Sequence, residues 1–184
     1  MNDRPIVIVG AGHAGVQCAA SLREDGYAGP VLLACDEPHW PYQRPPLSKA
    51  YLKGATTRDG LALRGPAFFS EQAIETRFGD KVLRIDRATK TVHFASGLAQ
   101  PYAHLVLATG ARARPAPFPG MDLAGVLTLR NLDDADSLRA QFDAAKDVVV
   151  VGAGFIGLEF AATAAQAGKT VTIVEAAPRV MGRA

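Results

Sequence analysis

Two glycine-rich turns constrain this chain more than any other feature, because each stands between a strand-like run and a helix-like run. Gly10-Ala11-Gly12-His13-Ala14-Gly15 follows the apolar run 5–9, and Gly152-Ala153-Gly154-Phe155-Ile156-Gly157 follows the valine run 148–151. In such a turn the first glycine allows the tight reversal, and the second lets a pyrophosphate approach the backbone. The third lets helix and strand pack closely, so that the helix N-terminus faces the phosphates. An acid about 20 residues on completes the pattern by binding a ribose. Asp36, with Glu37 as the alternative, is placed to serve the first turn and Glu175 the second. Two dinucleotides on one polypeptide point to electrons passing between them.

Length and composition narrow the class. A chain of 184 residues can bury one good core, or one domain and part of another. At 48% hydrophobic and 21% charged residues, with a net charge of +2, it carries no argument for a nucleic-acid or membrane partner. No apolar run reaches membrane-spanning length, and the N-terminus lacks the pattern of a secretory signal, so a cytoplasmic location is expected. Cys18 and Cys35 form neither a CxxC nor a CxxxxC pair, and no metal-ligand spacing occurs, so no metal is expected. Both are read as inert buried thiols. His13, His39, His93 and His104 are not assigned to catalysis.

The pattern along the chain predicts an α/β fold. Strand 5–9, a helix from about 14 to 25 and strand 31–35 make a first βαβ start, and the proline-rich run 36–46 cannot be helix or central strand. A short helix is expected at 47–52, whereas 58–73 is ambiguous. Short strand candidates at 74–78, 82–86, 90–95 and 104–108, punctuated by Gly79-Asp80 and Ser96-Gly97, read as hairpins or a meander. The proline-rich stretch 111–120 reads as an extended crossover. Asn131 or Asp133 caps a helix whose apolar positions are Ala135, Leu138, Phe142 and Ala145. Strand 148–151, helix 155–167, a stop at Gly168 and strand 170–174 complete a second unit.

The loop Pro41-Tyr42-Gln43-Arg44-Pro45-Pro46-Leu47-Ser48-Lys49-Ala50-Tyr51 makes the reading specific. It resembles the flavin-contacting loop of the ferredoxin reductase family of FAD- and NAD-dependent pyridine nucleotide oxidoreductases. Further matches follow in family order: the segment 105–111, Leu129-Arg130, and Phe155 to Glu159 inside the second fingerprint. The resemblance implies that Gly10, Gly12, Ala14 and Gly15 hold the FAD pyrophosphate and that Asp36 bonds the adenosine ribose. Arg44 and Lys49 would stand by the flavin end, Val82 would offer backbone to adenine, and Ala108, Thr109, Gly110 and Arg130 would line the cofactor. Lys49 and Glu159 would meet beside the reactive flavin nitrogen, the alternative being a solvent-facing Glu159. Phe155 would be either an aromatic gate over the flavin or ordinary helix-to-sheet packing. Gly152, Gly154, Ile156 and Gly157 would hold NAD, and a carboxylate at Glu175 favours NADH over NADPH because it repels a 2′-phosphate, with NADPH left open by Arg179 close by.

The fold implied is a Rossmann-like FAD-binding domain with a β-meander insert over 1–118. A connecting segment with a helix spans 119–144, and the first βαβ unit of a second Rossmann-like, NAD-binding domain spans 145–184. The function implied is an oxidoreductase passing hydride from NADH to FAD and then single electrons to an iron–sulfur ferredoxin or a rubredoxin. Only the front part of a family member is matched, so the sequence is expected to be a fragment with little turnover of its own. The alternatives are a non-catalytic dinucleotide-binding module, or an NADH oxidase or monodehydroascorbate-type reductase.

Overall fold

Four consecutive apolar residues can all be buried in a strand only if both faces of its sheet are covered. Strand β1 (Ile6–Val9) meets that condition, with every residue buried. The computed structural model describes residues 3–114 and 118–182. Two compact units partition the chain, one of Met1–Gln43 with Ala62–Ala111, the other of Arg44–Leu61 with Arg112–Ala184.

In the first unit β1 leads into helix α1 (His13–Glu24) and strand β2 (Val31–Cys35). A one-and-a-half-turn helix α2 (Pro66–Glu71) precedes strand β3 (Ile74–Phe78). Strands β4 (Val82–Asp86), β5 (Thr91–Phe94) and β6 (Ala99–Pro101) follow, and β7 (His104–Leu107) closes the unit. The parallel sheet runs β3-β2-β1-β7, and β4-β5-β6 form a separate antiparallel meander. Because strand side chains alternate, β1 and β2 supply two cores. Ile6, Ile8, Val31 and Leu33 pack with Val16 and Ala19 of α1 and with Phe69. Val7, Val9, Leu32 and Ala34 pack against Val92, Phe94 and Tyr102 on the meander side.

The meander differs from its sequence reading. Strands at 74–78 and 104–108 looked like its members, yet β3 and β7 join the parallel sheet on either side of β2 and β1. The third meander strand is instead Ala99–Pro101, which is too short to give a periodic signal. It lies at the edge, where a proline removes no needed ladder bond. The ambiguous stretch 58–73 contains a 3-10 turn at Asp59–Leu61 and then α2, and the helix expected at 47–52 is a 3-10 turn at Pro45–Ser48. Of the proline-rich crossover at 111–120, residues 115–117 lie outside the described residues; 111–114 have no regular structure.

In the second unit helix α3 (Leu132–Phe142) precedes strand β8 (Asp147–Val151), helix α4 (Phe155–Gln166) and strand β9 (Thr170–Val174). β8 and β9 pair in parallel, with Val151 opposite Val174. Asn131 is the residue that caps α3, in a reciprocal box with Asp134. Leu52, Phe142 and Ala164 form a small core that ties the segment 44–61 to α3 and α4. No helix among the described residues is long and apolar enough to cross a membrane.

The glycine turns are built alike in the two units. Gly10 and Gly152 have φ of +108° and +106°, a conformation that costs an L-residue dearly. A Cβ on Gly15 would lie 1.8 Å from the Gly10 carbonyl oxygen, and one on Gly157 2.0 Å from that of Gly152. A Cβ on Gly12 would meet nothing within 4 Å. Gly15→Ala must therefore push backbone apart and should cost about 1–3 kcal/mol or more, whereas Gly12→Ala should leave the urea midpoint near the parent's. Equal midpoints for the two variants would contradict this account of the turn.

Candidate functional site

Each fingerprint helix begins without a side-chain cap and without an acid in its first turn. Helix α3 differs on both counts, having its capping box and Asp133 and Asp134 at the start. The first-turn amides of a helix need partners, and a partial positive charge gathers there. The open space before Gly12 and Gly154 lets an anion supply what a capping side chain supplies elsewhere.

The first unit places its expected residues around the end of β1. Gly15 is buried in the turn, and Ala14 is exposed at the start of α1. The Ala108 amide continues the sheet by donating to the Val9 carbonyl at 2.8 Å. The Ala108 carbonyl crowds Gly10 so closely that a Cβ there would sit 2.2 Å away. Thr109 and Gly110 follow, exposed. Val82 is half-buried at the start of β4, opposite Phe94. Asp36 is exposed, whereas Glu37 is half-buried and its carboxylate accepts the Tyr42 hydroxyl at 2.5 Å.

Strand register reveals an equivalence between the units. Val9 lies opposite Ala34, and Val151 opposite Val174, so Cys35 occupies the position that Glu175 holds in the second unit. The partners correspond too. The Glu175 carboxylate accepts the amides of Ala153 at 2.7 Å and Ala177 at 2.9 Å. The backbone of Glu37 and Ala11, the matching positions, acts on the Cys35 thiol to lower its pKa. Burial nonetheless pushes the Cys35 thiol above its ordinary value, and those two backbone groups only partly offset it. Asp36 therefore stands one residue beyond the Glu175 position. Both cysteines are free and half-buried rather than buried.

The second unit gathers the remaining residues. Arg44 donates from Nη1 to the Arg130 carbonyl at 2.9 Å, and the Arg130 amide donates to Asp134 at 2.8 Å. Asp134, the α3 capping acid, thus also fixes the backbone that carries Arg130. Lys49 Nζ and Glu159 Oε1 lie 2.9 Å apart, so Glu159 is paired and not merely solvent-facing. Its other oxygen accepts the Ser48 hydroxyl at 3.1 Å. Phe155 is 61% exposed and Ile156 50% exposed at the start of α4. Sequence reasoning missed Asp134, Ser48 and Thr163. The last donates its hydroxyl to the Ser48 carbonyl, 115 positions away, and only its i+4 spacing from Glu159 gave a signal.

The pyridine nucleotide-disulphide oxidoreductase profile matches residues 4–184. The chain belongs to that family. Its resemblance to the ferredoxin reductases within it holds as well. It is 49% identical over 179 residues to the rhodocoxin reductase of Rhodococcus erythropolis, covering 97% of this chain and 42% of that protein. It is 44% identical over 178 residues to a rubredoxin-NAD(+) reductase of Pseudomonas putida, covering 97% and 46%. A ferredoxin reductase from Rhodopseudomonas palustris superposes with a TM-score of 0.94 at 53% identity, covering 99% of this chain and 45% of that one. The chain thus spans less than half the length of the relatives it matches. The α/β, Rossmann-like fold is that of the family; the family's cofactor classes, FAD and NAD(P), fit the two open cradles.

The ion pair carries a pH signature. The Lys49 ammonium, hydrogen-bonded to Glu159, holds that carboxyl below its usual range, and the Ser48 hydroxyl adds to the effect. A lowered pKa means that the stabilisation is complete above the unfolded carboxylate value, about 4.3, and is lost as pH falls through the lowered one. With side chains 48% and 35% exposed, the pair contributes at most about 1 kcal/mol. Glu159→Gln should lower the melting temperature slightly at neutral pH, with the difference from the parent closing in acid. A difference that grew on acidification would contradict the pairing.

Proposed function

We propose that this chain is the nucleotide-binding part of an NADH-dependent flavoprotein reductase that feeds a ferredoxin or a rubredoxin. The observation that carries the reading is the repeated uncapped glycine cradle, one copy in each compact unit. FAD in the first cradle would supply the redox chemistry, accepting an electron pair and releasing electrons singly. On this reading residues 1–118 carry the FAD-binding domain, 119–144 join it onward and 145–184 begin the NAD-binding domain. The compact units divide the chain by packing instead, and the 44–61 loop goes with the second.

The residues of this chain bind, orient and neutralise. Gly10, Gly12, Ala14 and Gly15 offer helix amides to a pyrophosphate, with Ala108, Thr109 and Gly110 beside them. Asp36, with Glu37 as the alternative, takes a ribose hydroxyl, and Val82 offers backbone to the adenine. Arg44 and Arg130 bring fixed positive charge to the phosphate-rich cofactor. Lys49, oriented by Glu159, places a proton-bearing cation at the flavin end, where negative charge accumulates on reduction. Phe155, exposed at the start of α4, would cover that end as an aromatic gate.

In the second cradle Gly152, Gly154, Ile156 and Gly157 hold NAD. Glu175 selects NADH, because a carboxylate accepts from ribose hydroxyls and repels a 2′-phosphate. The electron carriers named in the relatives' own names support the acceptor class. A cytoplasmic location belongs to the same reading, and the free thiols of Cys18 and Cys35 fit a reducing compartment.

The Gly12→Ala variant tests the assignment. Its methyl fills the space reserved for the pyrophosphate, so the folded variant should lose the flavin absorbance that the parent retains or takes up. Gly154→Ala should keep the flavin but no longer be bleached by NADH under anaerobic conditions. A Gly12→Ala protein with parental flavin content would sink the reading.

A further inference from the structure

Among the described residues the buried polar side chains are Ser48 and Thr163, each 4% exposed, and they belong to one network. Thr163 Oγ1 lies 3.0 Å from the Ser48 carbonyl and 3.0 Å from the Glu159 carbonyl. Ser48 Oγ in turn donates to Glu159 Oε2, while Lys49, the next residue along the loop, holds Oε1. A buried hydroxyl is costly unless bonded, and a valine would fill the same volume at α4 without that cost. The sequence instead places a hydroxyl at the one buried point where the loop backbone meets the turn of α4 that carries Glu159.

The two acceptors of Thr163 differ in consequence. A single hydroxyl proton serves both, and the Glu159 carbonyl, four residues back on the same helix, is available whatever the loop does. The Ser48 carbonyl is available only when the loop is docked. The bond to it therefore sets the loop's register on α4. Lys49 needs that register, because its side chain is flexible and 48% exposed, and a small displacement of the loop would carry its ammonium out of reach of Glu159.

We propose that Thr163 and Ser48 are positioning residues for the Lys49–Glu159 pair. The Thr163 hydroxyl clips the loop backbone to α4, and the Ser48 hydroxyl fixes the rotation of the Glu159 carboxylate. Any consequence for the flavin rests on the function proposed above; the clip itself does not. The lowered pKa of Glu159, to which both Lys49 and Ser48 contribute, gives a readout that needs no cofactor.

The test uses the full chain with Thr163→Val, Thr163→Ser and Ser48→Ala. Carboxyl NMR of the cofactor-free proteins follows the titration of Glu159. Thr163→Val should move the midpoint up toward the ordinary carboxylate value, Thr163→Ser should restore it, and Ser48→Ala should also raise it. In the FAD-loaded protein, loss of one hydrogen bond's worth of positioning should slow flavin bleaching by NADH about fivefold, with the NADH concentration for half-saturation unchanged. A folded Thr163→Val protein in which Glu159 titrates as in the parent overturns the proposal. If that variant does not fold, an unchanged midpoint in Ser48→Ala overturns it instead. A shifted midpoint with parental bleaching upholds the clip and removes the assignment of Lys49 to the flavin.

Discussion

The contact between the third fingerprint glycine and the carbonyl of the first is what the rest of each unit depends on. At Gly15 and Gly157 no side chain fits, since a Cβ would fall far inside the van der Waals contact distance to a backbone oxygen. That closeness lets α1 and α4 leave their strands at the angle that points uncapped first-turn amides into open space. The two copies agree in φ at the leading glycine and in the open space at the second glycine. The same backbone solution is reached twice in one chain, each time leaving an uncapped helix start beside open space.

What distinguishes the two copies is what has been built beside them. The first cradle has the end of β7 pressed against Gly10, which brings Thr109 and Gly110 to it. The second has the Arg44–Leu61 segment fastened to its helix by an apolar cluster and by hydroxyl bonds, with Lys49 and Glu159 as the result. At the equivalent strand ends one copy carries Glu175, which receives two backbone amides, and the other carries Cys35. A carboxylate at one strand end and a neutral thiol at the other put a negative charge at that place in the second unit and none in the first.

Much of this was legible in the sequence because it is local. The apolar runs and the glycine spacing gave α1, α4 and the strands flanking the turns to within a residue or two, whereas the helical period at Ala135, Leu138, Phe142 and Ala145 ran on past α3, which ends at Phe142. Pairing is not local, so nothing in the stretches 74–78 and 104–107 told that they join β2 and β1 rather than the meander. Cys35 could not be matched to Glu175 without strand register, since the adjacent Asp36 satisfies the spacing rule equally well. Ser48 and Thr163 were invisible for the same reason: each is an ordinary small polar residue until the fold brings them 3.0 Å apart. Lys49 and Glu159 were found through resemblance, and the geometry supplies the reason they stand together.

The claim at the centre is that the two cradles are separate dinucleotide sites. Equilibrium dialysis of the chain with FAD and NAD+ together, counting both nucleotides bound per polypeptide, addresses it most directly. The account predicts one FAD and one NAD+ held at the same time, with neither displacing the other. A total of one nucleotide per chain, with NAD+ driving FAD off as its concentration rises, would contradict it.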